Sequence, residues 1–213
     1  MEKLVLHENL EKKPQMERYM KNNFAFKGIQ KTELVLLAKE TIQVSKKISP
    51  EKLFEEVSYY YKLPEREYHY LAILLLEKNI NRLNYSQILT YIPFVSVHSW
   101  WDSVDAWRKV FALWGARNPD YLERVFYIFQ NSEDFWQRRI AINLQLLFRK
   151  KTNTKLLTEA IEKDLATDEF FIQKAIGWSL REYSKTNPSW VTDFIATHPT
   201  LSKLAIREGS KYL

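Results

Sequence analysis

The chain has 213 residues, 46% hydrophobic and 15% aromatic, with seven tryptophans, twelve tyrosines and no cysteine. That composition describes a globular fold and excludes disordered, disulfide-stapled and thiolate-metal classes. The formal net charge is +6 and the pI about 9.3, with 15 basic against 12 acidic residues in 1–100 and 17 against 14 in 101–213, so the excess is spread and forms neither a basic tail nor an acidic domain.

The first twenty residues mix Glu, Lys, His and Asn without an apolar stretch, so no secretory leader is expected. An amphipathic helix is expected near 9–22. Further along, apolar stripes at helical spacing run between prolines: Leu34, Leu37, Ala38 and Ile42; Leu71, Leu74 and Leu75; Ile140, Leu144 and Leu147. Ser49-Pro50, Leu63-Pro64, Asn118-Pro119 and Asn187-Pro188 place proline where helices begin. Together these marks predict helices at about 31–47, 50–62, 65–80, 85–96, 99–115, 119–130, 134–151, 153–166, 168–186, 188–197 and 200–212. Only four glycines occur, and no alternating strand pattern is bounded by turn dipeptides. The longest apolar run, Leu71–Leu76, falls far short of a membrane span. A cytoplasmic protein without membrane contact is the expectation.

Connections of about two to five residues predict antiparallel hairpins, repeating roughly every 35 to 40 residues. That spacing suits HEAT-like pairs stacked into a curved solenoid with a concave face, and a compact bundle is the rival. No linker composition interrupts the series, so residues 1–213 read as one domain. A spread positive surface fits a body that meets nucleic acid along its length, and it fits an ordinary basic enzyme equally.

Four segments mix residue types that carry chemistry. In His98-Ser-Trp-Trp-Asp-Ser-Val-Asp105, Trp101 and Asp105 stand at i and i+4 and offer an aromatic plane and a carboxylate to one patch. The structural alternative is a packing tryptophan beside an acid that pairs with Arg108 or Lys109. In Phe135-Trp-Gln-Arg-Arg139, Arg139 shares a face with the aromatics, whereas Arg138 points about 100° away. Phe170, Lys174, Trp178 and Arg181 form one stripe that interleaves cations with aromatics, a mixture that suits phosphates and nucleobases or sugars. Met16-Glu-Arg-Tyr19-Met-Lys21 adds Tyr19 between two cations. The four histidines lack ligand spacing, and no nucleophile motif or phosphate-cradling glycine loop occurs, so neither metal nor cofactor is expected.

SWWDSVD at 99–105, FWQRRIAI at 135–142, FFIQKAIGWSLREYSKTNP at 170–188 and MERYMKN at 16–22 resemble the bacterial DNA alkylation repair family, the AlkD-type glycosylases, in order along nearly the whole chain. The resemblance implies an all-helical HEAT-like solenoid that removes N3- and N7-alkylated purines from DNA; a monomer acting on duplex DNA is the expectation. It implies Asp105 as the catalytic carboxylate with Trp101 and Trp178 as aromatic walls. Arg139 would contact the DNA backbone, Tyr19 would add an edge to the cleft, and Lys174, Arg181 and Arg138 complete the expected DNA contacts. Arg138 and the chain end at Leu213 depart modestly from the family pattern.

The chemistry suits a single acid. N-glycosidic hydrolysis passes through an oxocarbenium-like state, and ordinary glycosidases use a second carboxyl to protonate the leaving group. A purine alkylated at N3 or N7 already carries positive charge and departs neutral, so it needs no such acid. A non-catalytic HEAT-like scaffold binding DNA or protein, and a helical RNA-binding protein, are the competing readings.

Overall fold

A computed structural model describes residues 2–213. Among the described residues there are thirteen α-helices and no strand; one isolated bridge joins Ala25 to Glu65. By its contacts the chain divides into two compact units, one ending at Phe94 and the other Val95–Leu213.

The first unit holds α1 (Lys13–Tyr19), α2 (Lys31–Leu37), α3 (Lys39–Ser45), α4 (Pro50–Tyr61), α5 (Arg66–Glu77) and α6 (Tyr85–Leu89). Leu53, Val57, Tyr60 and Tyr61 form the buried stripe of α4 and pack on α5, whose Leu71, Ala72, Leu75 and Leu76 are also buried. The helix expected over 31–47 is broken at Ala38, where ψ of 0° departs from helical geometry and turns the chain. The helix expected over 85–96 stops near Thr90 and continues as a 3₁₀ segment, Ile92–Ser96, in which Pro93 has no N–H to give an α-helix.

A buried acid organises the approach to α2. The carboxylate of Glu67, 0% exposed, accepts the backbone N–H groups of Lys27 at 2.9 Å, Gly28 at 2.8 Å and Ile29 at 3.0 Å. The turn needs glycine: Gly28 has φ of +86°, and a Cβ there would lie 2.4 Å from the carbonyl oxygen of Asn9.

The second unit holds α7 (Trp101–Arg117), α8 (Pro119–Gln130), α9 (Phe135–Asn143), α10 (Thr154–Lys163), α11 (Phe170–Ser184), α12 (Pro188–Thr197) and α13 (Lys203–Gly209). Proline opens α8 and α12 as expected, since the missing N–H falls among donors a helix leaves unpaired. Trp107, Val110, Phe111 and Trp114 give α7 a fully buried stripe, and α11 buries Ile172, Ala175, Ile176 and Leu180. The helix expected over 134–151 leaves regular geometry after Asn143, and Arg149 takes φ of +54°, which a right-handed helix cannot accommodate. Against α13, α11 is in near-backbone contact: a Cβ on Gly177 would fall 2.6 Å from Cβ of Glu208 and 3.1 Å from the carbonyl oxygen of Ala205.

Replacing Glu67 tests its role in the first unit. Glu67→Ala leaves three backbone donors without their acceptor and should lower unfolding free energy by about 3 kcal/mol or more. Glu67→Gln retains one carbonyl oxygen for Gly28 and Ile29 and should cost clearly less. Equal losses for the two variants in urea unfolding would show that the hydrogen bonds are not what matters there.

Candidate active site

Three caps aim the relevant side chains. Trp100 sits in extended conformation (φ −158°, ψ 160°) just before α7, so the helix begins at Trp101 and carries Asp105 one turn in. Asp134 caps α9 by accepting the backbone N–H of Trp136 at 2.9 Å, and Glu169 caps α11 through the N–H of Phe171 at 3.0 Å. Each caps its helix less than two turns before Arg139 or Lys174.

Arg139 spans all three helices. Its Nε donates to Oδ1 of Asp105 and its Nη2 to Oδ2, each at 3.0 Å, while Nη1 donates to the carbonyl of Phe171 at 2.5 Å. The Arg139 side chain is 6% exposed and that of Asp105 20%, so the carboxylate keeps an edge toward solvent while both oxygens are oriented. Paired, parallel N–H···O⁻ bonds are the strongest and most directional form of this interaction. The local alternative, in which Asp105 pairs with Arg108 or Lys109 on its own helix, does not hold: its partner is Arg139, 34 residues away.

Arg108 lies one turn beyond Asp105, on the same helix face. The residue is 7% exposed, and its guanidinium stands 5.9 Å from the ring centroid of Trp178. It makes no hydrogen bond or ion pair within the protein, and its Nε is fully buried without a partner. Burial pushes the Arg108 pKa down, Asp105 opposes that shift, and the nearby Arg139 adds to it. An arginine remains charged in such surroundings, so one carboxylate here faces two guanidiniums.

Aromatic rings back this cluster. Trp100, Trp136 and Phe171 meet with centroids 6.1, 5.1 and 4.8 Å apart, and Phe135 lies tilted at 4.7 Å from Trp136. Trp136 is buried in this cluster, whereas Trp101 and Trp178 are half-buried. Trp100 is the member that sequence reasoning passed over, because its neighbour Trp101 carried the i, i+4 relation to Asp105.

The remaining cations have their own acids. Lys174 Nζ donates to Glu208 Oε1 at 3.1 Å and Arg181 Nη1 to Oε2 at 2.9 Å, so one carboxylate from α13 bridges the basic stripe of α11. The two cations together hold the Glu208 pKa below the ordinary carboxylate value, chiefly through the Lys174 hydrogen bond. Arg138 Nε bonds both oxygens of Asp164 at 3.1 Å, and its Nη1 reaches the carbonyls of Ser132 and Glu133. Tyr19 ends α1 in the first unit and is 69% exposed. Thus Asp105, Arg139 and Arg108 come together with Trp178, and Trp101 lies a turn before Asp105. Lys174 and Arg181 form a second group, and Arg138 faces another neighbour.

Among the described residues, no group of three His, Asp or Glu side chains is placed to hold a metal ion, and no helix is long and apolar enough to cross a membrane.

Comparison with known proteins places the chain in a family. A family model described as DNA alkylation repair enzyme matches residues 1–213. The fold is similar to a solved structure described as a predicted DNA alkylation repair enzyme from Enterococcus faecalis, with a TM-score of 0.97, 47% identity and 99% coverage of each chain. A search of curated proteins finds no match.

Breaking the fork around Asp105 should be felt in the fold. Arg139→Ala should lower unfolding free energy by about 3 kcal/mol, the low end for a broken buried pair because Asp105 keeps some solvent contact. Arg139→Lys should recover less than half, since one ammonium cannot serve two carboxylate oxygens and a carbonyl in fixed directions. Full recovery by lysine in denaturant unfolding would show that charge alone, without geometry, sustains the pair.

Proposed function

We propose that this chain, which belongs to the DNA alkylation repair enzyme family, is a DNA glycosylase that releases cationic N3- and N7-alkylated purines from duplex DNA, acting as a monomer. The observation that carries the reading is Asp105: a carboxylate oriented at both oxygens by Arg139, one-fifth exposed, with Trp101 one turn before it on α7.

In the reaction, the C1′–N9 bond breaks and its electron pair passes to the purine, which leaves as a neutral base because alkylation had already made it positive. The sugar becomes oxocarbenium-like, and the charge of Asp105 stabilises it. Asp105 also orients a water whose oxygen adds to C1′; the released proton passes to solvent. The products are a free alkylpurine and an abasic site. Trp101 and Trp178 would present ring faces to the cationic base or sugar, each contributing about 0.5 to 2 kcal/mol.

Duplex binding belongs to the same reading. The helical pairs are taken as HEAT-like repeats that meet the duplex. Arg139 has five N–H groups, of which three are used, leaving two for a phosphate. Lys174 and Arg181 share one acid and retain a net positive charge for the backbone. Tyr19 would supply an edge contact, and Arg138, engaged with Asp164, the weakest of the DNA contacts.

The direct test incubates the protein with methylated duplex DNA and measures free 7-methylguanine. Asp105→Asn, which keeps the shape and one acceptor for Arg139, should reduce release by roughly 100-fold or more while DNA affinity stays within about threefold. Unchanged release by that variant removes Asp105 from the mechanism. No release by the unaltered protein, with DNA still bound, favours a non-catalytic binding module.

A further inference from the structure

Arg108 is the least explained charge in the second unit. Buried polar groups are almost always hydrogen-bonded, and a buried guanidinium without a partner is costly. Arg108 is 93% buried by its 7% exposure, has no hydrogen bond or ion pair, and has a sealed Nε. The nearest acid does not serve it: the hydrogen bonds that Asp105 accepts come from Arg139, and none comes from Arg108. Nor does packing account for it: the single aromatic contact, Trp178, is at 5.9 Å, the outer limit of a useful cation–π distance.

Charge points the same way. With Asp105 at −1 and Arg108 and Arg139 at +1 each, the cluster is net positive, although a cationic base is the proposed leaving group. The excess matches what accompanies that base in every DNA strand, a phosphodiester. A guanidinium is planar and presents forked donors that fit two phosphate oxygens, and Arg108 stands one helical turn from the carboxylate that would face C1′.

We propose that Arg108 contacts substrate, its guanidinium donating to the phosphodiester that flanks the nucleoside held at Asp105. This rests on the glycosylase reading of the site and assigns the second half of it: Asp105 faces the positive sugar and base, and Arg108 the negative backbone beside them. The cost of burying an unpaired cation is then recovered when DNA binds.

This separates binding from stability, which a structural role would not do. Arg108→Met has nearly the same length without the charge, and removing an unpaired buried charge should leave the melting temperature unchanged or raise it. The same substitution should weaken binding about tenfold to a fluorescent duplex carrying one tetrahydrofuran abasic analogue, and lower the salt slope of log K by about 0.9. Arg108→Lys should retain the slope. A duplex with methylphosphonates flanking the analogue should bind the unaltered protein as weakly as Arg108→Met binds the ordinary duplex, and should not weaken Arg108→Met further.

Binding and slope unchanged in Arg108→Met would overturn the proposal, as would a variant that melts lower or fails to fold, since either assigns Arg108 to the fold. The two readings fail separately. Intact release of alkylpurine with Arg108-independent binding sinks only the phosphate contact. Arg108-dependent binding with no release by the unaltered protein sinks only the glycosylase reading.

Discussion

The side-on pair between Arg139 and Asp105 is the constraint on which the second unit's site depends. One guanidinium fixes the direction of a carboxylate on α7, holds α9 against it, and reaches the first turn of α11 through the Phe171 carbonyl. The three helices also share the Trp100–Trp136–Phe171 ring cluster, so apolar packing and charged hydrogen bonds meet at the same junction. Such a pair is worth little as net stabilisation compared with an apolar substitute, but it imposes direction, which packing alone does not. Direction is what a carboxylate needs if it is to stabilise charge that develops at one atom.

Around that pair the electrostatics are unbalanced in an informative way. Elsewhere in the unit, cations find acids: Lys174 and Arg181 share Glu208, and Arg138 forks onto Asp164. The near-backbone contact at Gly177 is what brings Glu208 under the α11 stripe. Only beside Asp105 does a buried arginine stand without a bonded partner. A carboxylate engaged at both oxygens by one guanidinium is poorly equipped to protonate a neutral leaving group, and a surplus guanidinium is poorly explained without an anion. Under the proposed reaction both peculiarities have the same origin, a substrate that is positive at its base and negative along its backbone.

Much of this was legible in the sequence, and the limits of legibility follow a physical pattern. Helix starts at Pro50, Pro119 and Pro188 were readable because proline's missing N–H is a local property. The i, i+4 relation of Trp101 and Asp105 was readable for the same reason. What a side chain meets across the fold was not: Asp164 lies 26 residues from Arg138, Glu208 lies 34 from Lys174, and Arg139 lies 34 from Asp105. Spacing therefore singled out cations as candidates for a role without showing which of them an acid already holds. Arg108 entered the sequence reading only as a local partner for Asp105. The break at Ala38 and the left-handed turn at Arg149 lie in stretches that are periodic enough to look like continuous helix.

The central claim is that one carboxylate, without a proton donor, suffices because the departing base is already charged. The most direct measurement compares release of 7-methylguanine and of hypoxanthine, a neutral base, from otherwise identical duplexes at a single site. Release of 7-methylguanine with no detectable release of hypoxanthine is the predicted result. Release of both at comparable rates would contradict the account, because a neutral purine cannot leave readily without a general acid, and the proposed reaction uses none.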